Sequence, residues 1–417
     1  MLREKSKQKG YANAILCEKT NSDKKKELTY FAKDNFWTTN FPTTASSKFL
    51  GNFWSIQNAF VIQLLERKKI LLGKTALDEF ACGGTGLHAA TGPIFNPYYS
   101  SCIVGGSSSG SAWVVAKNLV PFALGHDTGD SIRRPASYCG IVGFKPSYGI
   151  ISRSGVIPMA SSLDTVGILA KKTKNIKSAF AIISQKDPHD LLTITTRSKV
   201  LSPEKNKIAV VAGIEKYLPN ELSNLYHKTI EKLEKTGYTI EKITIPKKIR
   251  EHLQITYLIL CSSELVSHLN SLQGVTYGVK ENVSVNHKRS KHLGEIVKQR
   301  LLIGAYFLEK QELFIKAQKM RYLVDKWVKK VFQNYDFLIF PSVNNTAPPA
   351  ANFNHSFSGL ISSHWSDNLL LLANFAGLPS LSLPIGLVNG LPVSININSK
   401  YGKDKEILEF AENLESS

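Results

Sequence analysis

Two glycine–serine loops carry the residues of this 417-residue chain that could do chemistry. GGSSSGSA spans 105–112, and GHDTGDSIRRPASYCGIVGFKPSYG spans 125–149. They present Ser107 and Ser131, 24 positions apart. A serine hydroxyl attacks a carbonyl well only when a base takes its proton. Other uses of such loops fit poorly. A phosphate cradle would end in G-K-[ST] or follow G-x-G-x-x-G, and neither string is present. A nucleophile elbow needs G-x-S-x-G, which neither Gly105–Ser109 nor Thr128–Ile132 supplies. His126 and Asp127 stand just before Ser131 and invite a Ser–His–Asp reading. Neighbouring residues of a strand face opposite sides, however, so they form no linear relay. A flexible linker is excluded by the apolar runs SAWVVAKNLVPFALG and GIVGFKPSYGI in the same stretch. Glycine and serine here let backbones approach one centre closely. Upstream, Lys33 closes an apolar run in FAKDN, and Lys74 sits beside a glycine in GKT.

The elements that must position these loops read as α/β. ELTYFAKDN and RKKILLGKT are short apolar runs around a helical stretch near 55–68. A helix and a strand join the two serine loops. KIAVVAG (207–213) reads as a strand and ELSNLYHKTIEKLEKTG (221–237) as a helix with a glycine stop. YTIEKITIP (238–246) alternates as a strand, which completes a β-α-β unit. One long helical stretch is predicted over about 292–333, followed by a buried strand in YDFLIFPSV (335–343). SDNLLLLANFAGLPSLSLPIG (366–386) reads helix, turn, strand, and LPVSININS and DKEILEFAENLES close the chain as strand and helix. Residues 1–27 are polar, with KKK at 24–26, and are expected to be poorly ordered or to hold at most a short helix. Residues 28–417 read as one large domain.

Composition limits the function. Apolar residues are 43% and charged residues 20%, which suits a globular protein. No apolar run is long enough to span a membrane, and no signal-peptide pattern opens the chain. The expected location is the cytoplasm. Cys17, Cys82, Cys102, Cys139 and Cys261 are scattered, which fits neither a disulfide framework nor a zinc site. The formal net charge is +19, from 52 basic and 33 acidic residues, yet only 10 are Arg and no basic motif is concentrated anywhere. The charge fits a chain working beside RNA better than a dedicated nucleic-acid site.

On its two loops the chain resembles the amidase signature family, whose hallmark is a GGSSxGS loop followed by D-x-G-x-S-I-R-x-P-A. The resemblance runs from about residue 28 onward. It implies the amidase signature fold, a large mixed central β-sheet covered by helices on both faces. Within the family, LLGKTALDEFACGG (71–84), SRSGVIPMASSLDTVGILAK (152–171), GVTYG (274–278), VKQRLLIGAY (297–306) and the 366–386 segment are most similar to the A subunits of glutamyl-tRNA(Gln)/aspartyl-tRNA(Asn) amidotransferases.

The resemblance implies a Lys–Ser–Ser triad. Ser131 matches the nucleophile, Ser107 the bridging serine on a cis peptide, and Lys33 the base. The backbone N–H groups of Thr128, Gly129, Asp130 and Ser131 match the oxyanion hole. Lys74 is then a structural lysine, Ser108 a supporting hydrogen-bond group, Ser137 structural, and Arg133 an anchor of its loop. Free lysine is protonated at neutral pH, so Lys33 needs desolvation to act as a base. Arg300 matches a carboxylate partner, Asp367 an ammonium partner and Tyr277 a wall of the substrate pocket. The implied activity is glutamine hydrolysis, with ammonia passed to a partner B subunit braced by a C subunit. That partner uses ATP and magnesium and holds most of the mischarged tRNA, while this chain needs no cofactor or metal. A stand-alone amidase acting on a small carboxamide and a decayed scaffold in an RNA complex are the alternatives.

Four departures stand out. Asp130 replaces the second glycine of T-G-G-S, and its side chain should therefore point away from the oxyanion donors, toward Arg133 or Arg134. Ser109 replaces a glycine of GGSSGGS, His126 stands where Ser or Thr is usual, and the segment before Lys33 is short.

Overall fold

The computed structural model describes residues 2–3, 13–19, 26–51, 53–193, 206–272, 277–353 and 364–416. In chain order the elements are β1 (Leu2–Arg3), β2 (Ile15–Lys19), β3 (Thr29–Lys33), α1 (Phe60–Glu66), β4 (Ile70–Thr75), α2 (Ser109–Ala116), β5 (Phe122–Asp127), α3 (Arg133–Tyr138), β6 (Val142–Lys145), β7 (Thr165–Ala170) and α4 (Thr173–Ile183). Then come β8 (Lys207–Val211), α5 (Asn220–Lys235), β9 (Thr239–Ile243), α6 (Lys247–Asn270), α7 (Val285–His292), α8 (Glu295–Glu309), α9 (Gln311–Asn334), β10 (Phe337–Pro341), α10 (Leu371–Phe375), β11 (Ser380–Val388), β12 (Leu391–Ser399) and α11 (Asp404–Ser416).

All twelve strands join one sheet in the order β1-β2-β4-β3-β5-β7-β6-β11-β12-β10-β8-β9. It is mixed. β3 runs parallel to β4 and β5, and β8 runs parallel to β9 and β10, while the remaining pairs are antiparallel. Both faces are covered, and strand alternation explains how. Tyr30, Ala32, Phe122, Leu124, Ile168 and Ala170 pack into one core with α1 and α4 residues such as Ile62 and Phe180. The intervening Phe31, Ala123 and Leu169 pack into a second core with Trp113, Val114 and Ala136 of α2 and α3. This is the α/β architecture expected, with a large mixed sheet.

The β8–α5–β9 unit forms as read, with Lys207–Val211 parallel to Thr239–Ile243. Two expectations are corrected. Within residues 1–27, Ile15–Lys19 is a strand of the sheet, paired antiparallel with β4. Ala14, Ile15 and Cys17 are buried there, so this polar segment owes its order to three small apolar side chains. The 292–333 stretch is two helices, α8 and α9, broken at Lys310 (φ −90°, ψ 66°). Among the described residues no helix is long and apolar enough to cross a membrane.

Candidate active site

Parallel strands deliver their loops to one edge of a sheet, and sites gather at the carboxyl ends. Lys33 is the last residue of β3, and its neighbours β4 and β5 run parallel to it. The 128–132 loop leaves β5, and the 105–108 loop leads into α2. The three segments therefore converge. The N–H of Ser108 donates to the carbonyl of Ser131 at 3.1 Å, tying the serine loops together. Gly105 adopts φ +81°, and a Cβ there would lie 2.9 Å from the Pro135 Cα. A Cβ on Gly106 would overlap the Asp78 carboxylate. These two glycines permit the close approach. The Gly106–Ser107 peptide bond is cis.

Lys33 is fully buried, and its Nζ lies 2.8 Å from Ser107 Oγ, 3.0 Å from Ser108 Oγ and 3.2 Å from the His126 carbonyl. Burial pulls its amine from 10.5 down to about 7, against the opposing pull of Asp78, Asp127 and Asp164. A neutral amine has two N–H bonds and one lone pair, so one of the three contacts must run toward nitrogen. The His126 carbonyl can only accept. Ser108 Oγ–H donates to that same carbonyl at 3.2 Å and accepts the His126 N–H at 3.3 Å. Ser107 is left as the hydroxyl that can donate to Lys33 Nζ.

Ser131 opens into a cleft of about 430 Å³, lined also by Gly83, Gly84, Asp130, Arg134, Tyr257, Arg300, Asn344 and Asp367. No described residue accepts from the N–H groups of Gly129, Asp130 or Ser131. Arg133 anchors their loop from behind. It is fully buried and donates to Asp127 Oδ1 at 3.0 Å, the Gly129 carbonyl at 2.7 Å, the Leu370 carbonyl at 2.7 Å and Asn374 Oδ1 at 2.6 Å. Burial by itself would raise the Asp127 carboxyl, but Arg133, Asn374 and the Ile132 N–H outweigh it and hold it down to about 2. Asp130 turns to Arg134, whose Nε donates to its Oδ2 at 2.5 Å. Its expected turn away from the donors thus finds Arg134, because Arg133 is committed to Asp127.

His126 and Asp127 do face different partners. His126 Nε2 lies 3.3 Å from Asp164 Oδ1, whereas Asp127 pairs with Arg133. Lys74 is also fully buried, but it pairs with Asp34 at 3.0 Å and donates to the Phe36 carbonyl at 2.7 Å. Ser137 is buried in α3.

Arg300 and Asp367 both reach the cleft, from α8 and from the turn before α10. Arg300 Nε donates to the Cys82 carbonyl at 2.9 Å, which holds it against the Gly83–Gly84 wall. Tyr277 does not line the cleft. Its ring packs edge-on against Phe53, 5.2 Å between centroids, instead. Residues 273–276 of the GVTYG string lie outside the described residues. Tyr138, Tyr257 and Phe353 are the aromatic residues that line the cleft, and the ring of Tyr257, from α6, would be met at 2.9 Å by a Cβ on Gly129. Sequence reading missed Tyr257, which sits in no motif, and the carboxylates Asp78 and Asp164 around Lys33. Among the described residues no group of three or more His, Cys, Asp or Glu is placed to hold a metal ion.

Fold and site together define the class: the chain belongs to the Amidase family, whose model matches residues 28–408. Within that class the chain is similar to A subunits of glutamyl-tRNA(Gln) amidotransferase, and at lower identity to other amidases, among them a peptide amidase from Stenotrophomonas maltophilia. It is 36% identical over 401 residues to the A subunit from Macrococcus caseolyticus, covering 92% of this chain and 82% of that one. It is 35% identical over 415 residues to the A subunit from Mycoplasma pneumoniae, covering 93% and 85%. The crystal structure of the Thermotoga maritima A subunit matches with a TM-score of 0.81 and 29% identity, over 98% of this chain and 88% of that one.

Proposed function

We propose that this chain, with residues 28–417 as its single domain, is the glutaminase subunit of a tRNA-dependent amidotransferase. One observation carries the reading: a fully buried lysine whose amine is brought near 7 and whose Nζ lies 2.8 Å from Ser107 Oγ. Neutral Lys33 takes the proton of Ser107, and Ser107 takes that of Ser131. Ser131 Oγ then attacks the carboxamide carbon of glutamine. The N–H groups of the 128–131 loop receive the developing oxyanion, held in place by Arg133. Ammonia leaves with the proton returned through the same serine. Water attacks the acyl-enzyme, releasing glutamate and restoring Ser131. Arg300 supplies the charge for the α-carboxylate and Asp367 the acceptor for the α-ammonium. Tyr257 takes the place expected of Tyr277 as the aromatic wall.

Ammonia passes to a B subunit, braced by a C subunit, that activates the mischarged tRNA with ATP and magnesium in the cytoplasm. The relatives' names support this assembly, and none of that chemistry is assigned to residues of this chain. The test is ammonia release from glutamine by the purified chain, alone and then with B and C subunits, ATP, magnesium and mischarged tRNA. Weak release alone that rises strongly in the complex is expected. Full activity alone with another amide preferred would make the chain a stand-alone amidase.

A further inference from the structure

The charged residues lining the cleft are Asp130, Arg134, Arg300 and Asp367, two of each sign. Asp130 is the one joined directly to Ser131. Where the family pattern carries a glycine, this chain puts a carboxylate on the wall of the cleft into which Ser131 opens. Its Oδ2 is tied back to Arg134 Nε at 2.5 Å, and Arg134 is itself fixed by Nη2 on the Asp367 carbonyl at 3.0 Å. Asp130 Oδ1 receives no hydrogen bond from a described residue, and the side chain keeps 24% of its surface exposed. One oxygen is held and the other is left for what fills the cleft.

We propose that Asp130 makes the cleft discriminate an amide from the acid it becomes, accepting a hydrogen bond from the substrate's carboxamide N–H and repelling the product's carboxylate. The proposal rests on the glutaminase reading above. In the net step, R–CONH2 and water give R–COO−, a proton and ammonia. The carbon–nitrogen bond breaks, a carbon–oxygen bond forms, and nothing is oxidised. A group with two donors thus becomes an anion that can only accept. A neighbouring carboxylate favours the first and opposes the second. Arg134 neutralises Asp130 from the held side, which limits the same repulsion against the transient oxyanion.

The test uses the assembled enzyme turning over glutamine. KM for glutamine and the inhibition constant of glutamate are measured for the wild type, for Asp130→Asn, which keeps an acceptor oxygen without the charge, and for Asp130→Asn/Arg134→Gln. In Asp130→Asn the ratio of the glutamate constant to KM falls about tenfold or more, as loss of a like charge at contact range demands. General damage to the loop would raise both constants together, and an unchanged ratio overturns the proposal. The double variant keeps the low ratio. A return to the wild-type ratio would assign the effect to a freed Arg134 and overturn it as well. A wild-type complex that hydrolyses no glutamine defeats the reading of the previous section and this one with it. Glutamine turnover with an unaltered ratio in Asp130→Asn defeats this one alone.

Discussion

Lys33 and Lys74 are both fully buried and stand on neighbouring parallel strands, Lys33 in register with Thr75 and Lys74 with Ala32. Their surroundings differ in one respect that decides their use. Lys74 meets the Asp34 carboxylate at 3.0 Å, with the Phe36 and Pro42 carbonyls and the Thr38 and Thr43 hydroxyls around it. Lys33 meets two serine hydroxyls and one carbonyl, and its carboxylates Asp78, Asp127 and Asp164 bond to other groups. The same side chain at the same depth is therefore paired with a carboxylate in one nest and, on the proposed function, free to serve as a base in the other. Burial alone makes neither. What matters is whether a carboxylate sits within bonding distance of the amine.

The contrast can be broken by substitution. The largest effect is expected from Ser131→Ala and Lys33→Ala, each lowering ammonia release by roughly a thousandfold or more, since such groups act as a unit. Near-wild-type turnover by Lys33→Ala would end its role as base. Lys74→Ala should fail differently. It strands Asp34 as a buried charge and should cost about 3–5 kcal/mol in urea unfolding, whereas Lys33→Ala removes a desolvated amine and should cost clearly less. Equal losses would erase the distinction between the nests. The pH profile sharpens it further. With the amine near 7, kcat/KM should rise with pH through a midpoint close to 7. In the unfolded chain the lysine holds its proton to about 10.4, so the unfolded state binds more protons between 7 and that value. The Lys33 contribution to stability accordingly increases with pH across this window, and Lys33→Ala should flatten the slope. A midpoint near 5 would assign the acid limb to another group. The smallest effect is expected from Arg300→Ala, which should raise KM for glutamine roughly tenfold while sparing an amide without a carboxylate. Equal damage to both substrates would remove Arg300 from substrate recognition.

That Ser107, Ser131 and Lys33 meet was legible because the serine loops are short strings whose residue types are set by local backbone demands, such as Gly105 and Gly106. The setting of Lys33 was not legible, because Asp78, Asp127 and Asp164 come from three separate segments, one of them the end of β5. Tyr277 misled for the related reason that its string says nothing of which side chain wins the cleft; helix packing gave that place to Tyr257. The β8–α5–β9 unit could be read since its period changes cleanly from two to 3.6 residues. The 24-residue helix α6 has no counterpart among the elements read from the sequence. The break between α8 and α9 falls at Lys310–Gln311, good helix formers that give no local stop signal.

Arg133 carries a consequence for the order of assembly during synthesis. Its partners Leu370, Asn374 and Ser380 lie 237, 241 and 247 residues further along the chain. A ribosome that has completed both serine loops has made Asp127 and Gly129 but not these three later partners. Until the stretch through residue 380 emerges, the Gly129 loop lacks most of the scaffold behind it, and the nascent chain cannot release ammonia. The brace behind the Gly129 loop therefore closes only after the chain between the loop and residue 380 has been made.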